Sequence, residues 1–263
     1  MKNDLFSIGP FTVHGYGLMM AIAILTAYYM VEYRAKKKGM DYEKIFPLAI
    51  WAVVGGLLGA KILYLLTRLP DLIADPSLIL HSLADGFVVY GSIIGGVAAA
   101  WIYCKRSGLA FLQVFDLVVP SLALAQGIGR IGCLLAGCCY GMQVSENNPI
   151  GIVFQESSYA PNGVPLFPAQ IVSSALNFIH FGVLMFLSGR LKAEGQLAGC
   201  YLIFYSIGRF ILEFFRGDLI RGNVGSLSTS QFISIFICAV GLFMVFALPR
   251  LQRKRETSGP AQE

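Results

Sequence analysis

Charge is what this chain has least of. Only 13% of its 263 residues are Asp, Glu, Lys or Arg, while 56% are hydrophobic, and the mean hydropathy is +0.67. Ordinary soluble domains carry about 25% charge, so the composition excludes one and implies an integral membrane protein. Histidine is scarce as well, with only His14, His81 and His180, which leaves no His pair to complete a zinc cluster. A basic N-terminal region leading directly into a small-residue cleavage site is missing, so the first apolar segment is expected to stay as an anchor. No internal repeat and no linker divides the chain, which predicts one polytopic membrane domain over 1–252 and a disordered basic tail over 253–263. The lack of matching broken-helix halves argues against a transporter.

What is present is a series of apolar runs. A membrane crossing needs about 20 such residues, and seven segments qualify, at roughly 14–33, 46–66, 87–104, 111–129, 168–188, 197–215 and 230–248, the third and sixth being short. The expected fold is therefore all-α, with about seven transmembrane helices. The formal charge of +5 resides in short loops, which removes it as a sign of nucleic-acid binding. Loops 34–45, 105–110, 189–196 and 249–263 hold 13 Lys and Arg, and the opposite set holds five: Lys2, Arg68, Arg130, Arg216 and Arg221. The positive-inside rule then predicts an outside N-terminus and a cytoplasmic C-terminus.

Gly127-Ile-Gly-Arg130-Ile-Gly-Cys133-Leu-Leu-Ala-Gly-Cys138-Cys139-Tyr-Gly141 places a guanidinium among five glycines at the end of an apolar run. An arginine at a membrane boundary is costly unless paired, hydrated or aimed at an anion, so Arg130 is a candidate site residue. Interfacial snorkelling is the plainer alternative. Arg209, Glu213 and Arg216 recur at spacings of four and three, which predicts one helical face. That stripe reads either as a structural ion-pair ladder or as an anion clamp in which Glu213 orients Arg209. Two arginines facing one cavity suit a phosphodiester. Lys61 reads as a snorkelling residue, and Glu32 and Asp116 as boundary residues. His14 opens the first span, where an imidazole suits proton transfer, whereas His180 in mid-span reads as a packing residue. Cys133-x4-Cys138-Cys139 lacks the paired clusters of a metal site, and adjacent Cys138 and Cys139 are poor disulfide partners, so no metal or cofactor is expected. The small-residue runs Gly55-Gly56-x-x-Gly59-Ala60 and Gly91-Ser92-x-x-Gly95-Gly96 predict close helix packing.

With Arg130-Ile-Gly-Cys133 and Arg209-Phe-Ile-Leu-Glu213-Phe-Phe-Arg216 in hand, the chain resembles the bacterial phosphatidylglycerol:prolipoprotein diacylglyceryl transferases nearly end to end. The likeness also includes His14-Gly-Tyr16-Gly, Gly56-Leu-Leu-Gly59-Ala-Lys61, Ala74-Asp75-Pro76, Asp85-Gly86, Gly91-Ser-Ile-Ile-Gly95, Phe167-Pro-Ala-Gln170 and Ser230-Gln231-Phe-Ile-Ser234. The resemblance implies a multi-pass enzyme of the bacterial cytoplasmic (inner) membrane with its site facing the outer leaflet. Such an enzyme moves the diacylglyceryl group of phosphatidylglycerol to the lipobox cysteine thiol of a preprolipoprotein, releases glycerol phosphate, and needs no cofactor and no nucleic acid. It further implies catalytic roles for Arg130, Arg209, Tyr90, His14 and Glu213, and head-group contacts from Arg130, Arg209, Tyr16, Lys61, Gly91, Gly141 and Arg216.

The departures from the family pattern concern the base. Tyr90 stands where the family commonly has His, Cys133 and Cys138 where it usually has Asn and Glu, Ser173 in place of a Glu, and Lys61 in place of Arg. A tyrosine with a reference pKa of about 10 is a poor base unless a cation lowers it. Tyr90, His14, Glu213 and the phosphate itself all stay open for that role. A related transferase with another acceptor, and a non-catalytic lipid-binding or transport protein, are the competing readings.

Overall fold

The computed structural model describes residues 4–8, 11–74, 86–217 and 222–257. Lys2, His81, Asp75-Pro76, Asp85 and Arg221 lie outside the described residues. The chain opens with a hairpin of β1 (Asp4–Ile8) and β2 (Phe11–His14), which runs into α1 (Gly15–Lys37). A 3-10 turn (Tyr42–Lys44), α2 (Ile45–Thr67), the short α3 (Leu69–Ala74), α4 (Val89–Ser107) and α5 (Phe111–Ala136) follow. Next come the strand pair β3 (Ile152–Val153) and β4 (Pro165–Leu166), then α6 (Ala169–Ser188) and α7 (Gln196–Glu213). A second strand pair, β5 (Asn223–Val224) and β6 (Leu227–Ser228), precedes α8 (Thr229–Leu242), a π-helical turn (Phe243–Ala247) and α9 (Leu248–Thr257). The expected tail thus begins as the end of α9, and residues 258–263 lie outside the described residues.

Among the described residues, five helical stretches are long and apolar enough to cross a membrane: Gly15–Lys37, Tyr42–Thr67, Phe111–Ala136, Ala169–Ser188 and Thr229–Arg253. The other two long helices are the ones expected to be short. α4 has 19 residues and carries Lys105 and Arg106 in its last turn, and α7 has 18 and carries Arg209 and Glu213.

By its contacts the chain forms two compact units, one of residues 31–114 and one of residues 1–30 with 115–263. In the first, α2 packs on α4 through glycine. A methyl group on Gly59 would collide with the Gly91 carbonyl oxygen, and one on Gly95 with that of Gly55. Contact this close gains dispersion energy that lipid cannot supply to separated helices. At the basic end of the pair, Lys44 Nζ donates to the Ser107 carbonyl at 3.3 Å and Tyr103 Oη to the Lys44 carbonyl at 3.2 Å.

In the second unit α7 packs on α8 with Gly199 against Gly241. Asp116 is buried near the start of α5 rather than marking a boundary as expected. Its carboxylate accepts from the Gly195 and Ala198 N–H groups, both at 2.7 Å. Those donors open α7, where no residue of the helix's own supplies a side-chain cap. The carboxylate therefore satisfies otherwise orphaned N–H groups and faces the positive end of the helix dipole. Across the α9 end of the same unit, Gln252 Nε2 donates to the Glu194 carbonyl at 3.2 Å. α8 starts on a capping box: Gln231 N–H donates to Ser228 Oγ at 3.2 Å, and Ser228 N–H to Gln231 Oε1 at 3.1 Å.

Candidate active site

α5 continues two turns beyond the expected end of its span, to Ala136. Arg130 is therefore a helical residue, not a loop residue. Glycines at 127, 129 and 132 do not break the helix because they serve as contact points. Ser174 Oγ of α6 donates to the Gly127 carbonyl at 2.8 Å, and a methyl group on Gly132 would lie 3.1 Å from Met19 Cβ and 3.4 Å from the Tyr16 ring. Tyr16 is thereby seated against α5 at Gly132, within electrostatic reach of Arg130, Cys133, Cys138 and Cys139.

The end of α5 reverses the chain. Gly137 takes φ +74°, its N–H donates to the Leu134 carbonyl at 3.2 Å, and Cys138 N–H donates to the Cys133 carbonyl at 3.1 Å. This is a Schellman cap, which favours glycine at the left-handed position. Cys139 then adopts φ +58° without being glycine, a conformation that its surroundings must hold. The backbone is tied down just before and just after it. Buried Gln170 donates Nε2 to the Cys138 carbonyl at 2.9 Å, Met142 N–H donates to the Phe215 carbonyl at 2.8 Å, and Gly217 N–H to the Tyr140 carbonyl at 3.1 Å. Phe167 stacks on Phe215 at 5.0 Å, and Phe167 N–H donates to the Met142 carbonyl at 2.9 Å. The two pairs around Gly141 and Arg216 form an antiparallel bridge that ties the post-α5 turn to the end of α7. A side chain on Gly141 would run into the Phe167 carbonyl.

The turn-rich segment after this reversal is ordered around its own small core of Phe154, Ala160 and Leu166. β3 and β4 pair within it, Ile152 opposite Leu166. Asn162 Oδ1 accepts from Ser157 N–H at 2.8 Å, and Ser157 Oγ accepts from Ala160 N–H at 2.9 Å. These local bonds replace regular structure.

Arg209 on α7 reaches Glu213 Oε2 at 2.8 Å through Nη2, an ion pair, and the same Nη2 donates to Ser230 Oγ of α8 at 3.0 Å. Arg216 Nε stands 4.0 Å from that carboxylate oxygen. The regular helix ends at Glu213, so Arg216 is not on the helix as expected. It stays close because the chain tightens into i→i−3 turns, Phe214 to Ile211 and Phe215 to Leu212. The side chains of Arg209, Glu213 and Arg216 are 14%, 11% and 8% exposed. Arg130 and Arg216 both lie within electrostatic reach of Arg209. Two guanidinium groups thus face one carboxylate in a mostly dehydrated place, and a third, Arg130, lies within electrostatic reach of Arg209. A surplus of positive charge there is compensated well by a phosphate group.

The sulfur atoms of Cys133, Cys138 and Cys139 lie within 4.8 Å of one another. Hydrogen bonding from Cys133 and Cys138, with Arg130 and Arg216 acting in the same sense, draws the Cys139 thiol toward its ionised form. Cys138, engaged by Cys133 and Cys139, is pushed the other way.

Arg130, Arg209, Arg216, Glu213, Tyr16 and Gly141 therefore belong to one unit, and the first four of them converge. His14 is an exposed residue at the end of β2 in the same unit. Lys61, Tyr90 and Gly91 belong to the other unit. Lys61 Nζ sits over the Tyr64 and Phe87 rings at 5.3 and 5.2 Å, Tyr90 is exposed on the first turn of α4, and Gly91 packs on Gly59. His180 stacks on Tyr201 at 5.1 Å, the packing role expected of it. Ser230 and Gln170 were legible only as motif positions, and nothing in the sequence assigned them their partners.

Comparison with known proteins points the same way as this cluster. The family model described as prolipoprotein diacylglyceryl transferase matches residues 3–247. A phosphatidylglycerol–prolipoprotein diacylglyceryl transferase of Clostridium tetani is 45% identical over 254 residues, covering 97% of this chain and all of the relative. A Clostridium perfringens protein of the same name, numbered 2, is 44% identical over 98% of this chain and 99% of its own length. A Staphylococcus carnosus relative is 31% identical over 91% of this chain and 88% of its own. The arginine motifs around Arg130 and Arg209 thus sit in a match that runs almost from end to end, and the chain belongs to the prolipoprotein diacylglyceryl transferase family.

Proposed function

We propose that this protein transfers the diacylglyceryl group of phosphatidylglycerol to the cysteine thiol of a preprolipoprotein lipobox, releasing glycerol phosphate. The observation that carries the reading is the pairing of Arg209 and Arg216 with Glu213, with Arg130 within electrostatic reach of Arg209, in a chain 45% identical to a transferase of that name. A thiolate attacks the glycerol carbon bonded to the phosphate ester, a C–S bond forms, and the C–O electron pair leaves with the phosphate. The leaving group gains one negative charge in that step. Fixed guanidinium donors stabilise it more than they stabilise the bound lipid, which is the condition for acceleration. Glu213 and Ser230 hold Arg209 in orientation. Tyr16 and Gly141 flank the head group by the same reading, and Lys61, Tyr90, Gly91 and His14 stand as contributors to be tested by substitution.

The topology belongs to the proposal: seven spans including α4 and α7, the N-terminus outside, the C-terminus cytoplasmic, and the site facing the outer leaflet of the bacterial inner membrane. Hydrogen bonds between loops assigned to the cytoplasm support it, Lys44 with Ser107 in one unit and Gln252 with Glu194 in the other.

The test offers purified protein phosphatidylglycerol together with a lipobox peptide or its Cys→Ser counterpart. Glycerol phosphate release that requires the thiol supports transfer. Release without any thiol peptide would make the protein a hydrolase instead.

A further inference from the structure

We propose that Cys139, within the thiol cluster that follows α5, is the general base that takes the proton from the acceptor cysteine of the peptide. This role rests on the transfer reading above and names the residue that turns the acceptor thiol into a nucleophile.

Placement carries the assignment. The sulfur atoms of Cys133, Cys138 and Cys139 lie within 4.8 Å of one another. Cys133 belongs to the end of α5, and the Schellman cap at Gly137 turns the chain so that Cys138 and Cys139 meet it. All three are free thiols, and none is fully buried, so a face of the cluster stays open to an incoming thiol.

The cluster also adjoins the groups assigned to the phosphate. Arg130 precedes Cys133 by three residues on α5, which puts the two on neighbouring positions of the helix surface. Arg130 and Arg216 both act electrostatically on Cys139, and Gly141, two residues after Cys139, bridges to Arg216. The displacement holds the attacking sulfur and the departing oxygen on one carbon. A base that serves the sulfur must therefore lie close to the phosphate clamp.

The chemistry of the cluster suits this task. A thiol in water has a pKa of about 8.5 and stays mostly protonated at neutral pH, which leaves it unable to accept a proton. The groups that face Cys139 are Cys133, Cys138, Arg130, Arg216 and, from α1, Tyr16. Hydrogen bonds from the two thiols and the charge of the two guanidinium groups favour its thiolate. Among the other candidate bases in this unit, Glu213 is engaged with Arg209 and Arg216, and His14 is exposed at the end of β2.

The step balances without an oxidant or a reductant. The acceptor S–H proton moves to Cys139 Sγ as the acceptor sulfur bonds to the glycerol carbon. The C–O bond breaks, and its electron pair leaves on glycerol phosphate beside the arginines. Cys139 then gives the proton to water and is a thiolate again.

The test compares the full chain, purified in detergent with a reductant, with Cys139→Asn and with Cys238→Ser, which lies outside the cluster. Asparagine tolerates a left-handed φ but cannot take the proton. At neutral pH Cys139→Asn should modify a lipobox peptide about 10²- to 10⁴-fold more slowly, while Cys238→Ser should match the parent. The deficit should shrink about tenfold per pH unit toward the acceptor's own pKa of about 8.5, because an ionised peptide thiol needs no base. A selenocysteine peptide, whose selenol is already ionised at neutral pH, should rescue the variant far more than it speeds the parent. In the parent, iodoacetamide should modify Cys139 below pH 7, where an unassisted thiol reacts slowly, and activity should fall in step. Full transfer by Cys139→Asn, or by the parent after complete alkylation of Cys139, would overturn the base. Equal slowing of the variant at every pH and with both peptides would reduce Cys139 to a structural role and overturn it too. A diacylglyceryl mass on Cys139 itself would make that residue a nucleophile instead. Each of these results leaves the transferase reading in place. A parent that modifies neither peptide would overturn the transfer reading, and the base with it.

Discussion

A single guanidinium carries much of the expected chemistry. Arg209 bonds Glu213 and Ser230 through one nitrogen, which leaves the rest of its planar fork for the substrate. Arg130→Ala and Arg209→Ala are each expected to lower kcat by about 10²- to 10³-fold, the usual effect of removing one charge-stabilising donor, while the protein still inserts. Glycerol phosphate release from matched amounts of membrane-extracted protein checks this, and full activity in both variants would remove the phosphate clamp. Arg209→Lys is expected to recover little, because an ammonium replaces a fork with a point charge. Tyr90→His, which restores the residue common at that position, is expected to retain activity. Complete loss would mean that the surroundings of Tyr90 have been rebuilt for tyrosine. The grouping of charged residues was partly legible in the sequence. Arg130, Arg209 and Glu213 stood out because charge is scarce among apolar neighbours. The meeting of three cysteines did not, since it depends on a left-handed Cys139 and a Schellman cap that spacing alone does not reveal.

At the scale of elements, the structure depends on interactions between helices far apart in sequence. Asp116 caps α7 from the start of α5 with two bonds of 2.7 Å. Asp116→Ala should cost about 1–3 kcal/mol, since it leaves buried N–H groups unsatisfied. A lowered Tm in detergent, with Asp116→Asn losing less, checks it. An unchanged Tm would mean that water replaces the carboxylate. The α2–α4 pair is as sensitive to bulk. Gly95→Leu should destabilise by about 1–3 kcal/mol through overpacking, read as reduced folded yield after extraction. The glycine spacing foretold that close contact because it is local and periodic. The capping by Asp116 was illegible because its partners lie 79 and 82 residues away. The end of α5 was placed too early for a related reason. Glycine lowers helix propensity in isolation, but Gly127 and Gly132 are anchored by Ser174, Tyr16 and Met19.

For the whole molecule, apolar composition foretold a mostly helical chain with helices long and apolar enough to cross a membrane, while the topology drawn from the charge distribution stays a proposal. Five helices meet the length and hydropathy of a crossing, and α4 and α7 fall short because charged residues occupy their ends. In α7 those charges are the candidate site itself, so function has lowered the very signal by which a span is recognised. The central claim is that the protein joins a lipid carbon to a peptide sulfur. Its most direct test is the mass of a lipobox peptide after incubation with the purified protein and phosphatidylglycerol, measured with the glycerol phosphate released. The account predicts a diacylglyceryl mass gain on the cysteine, equimolar with glycerol phosphate and abolished in Arg130→Ala. An unmodified peptide, under conditions in which an active relative modifies it, would contradict the account.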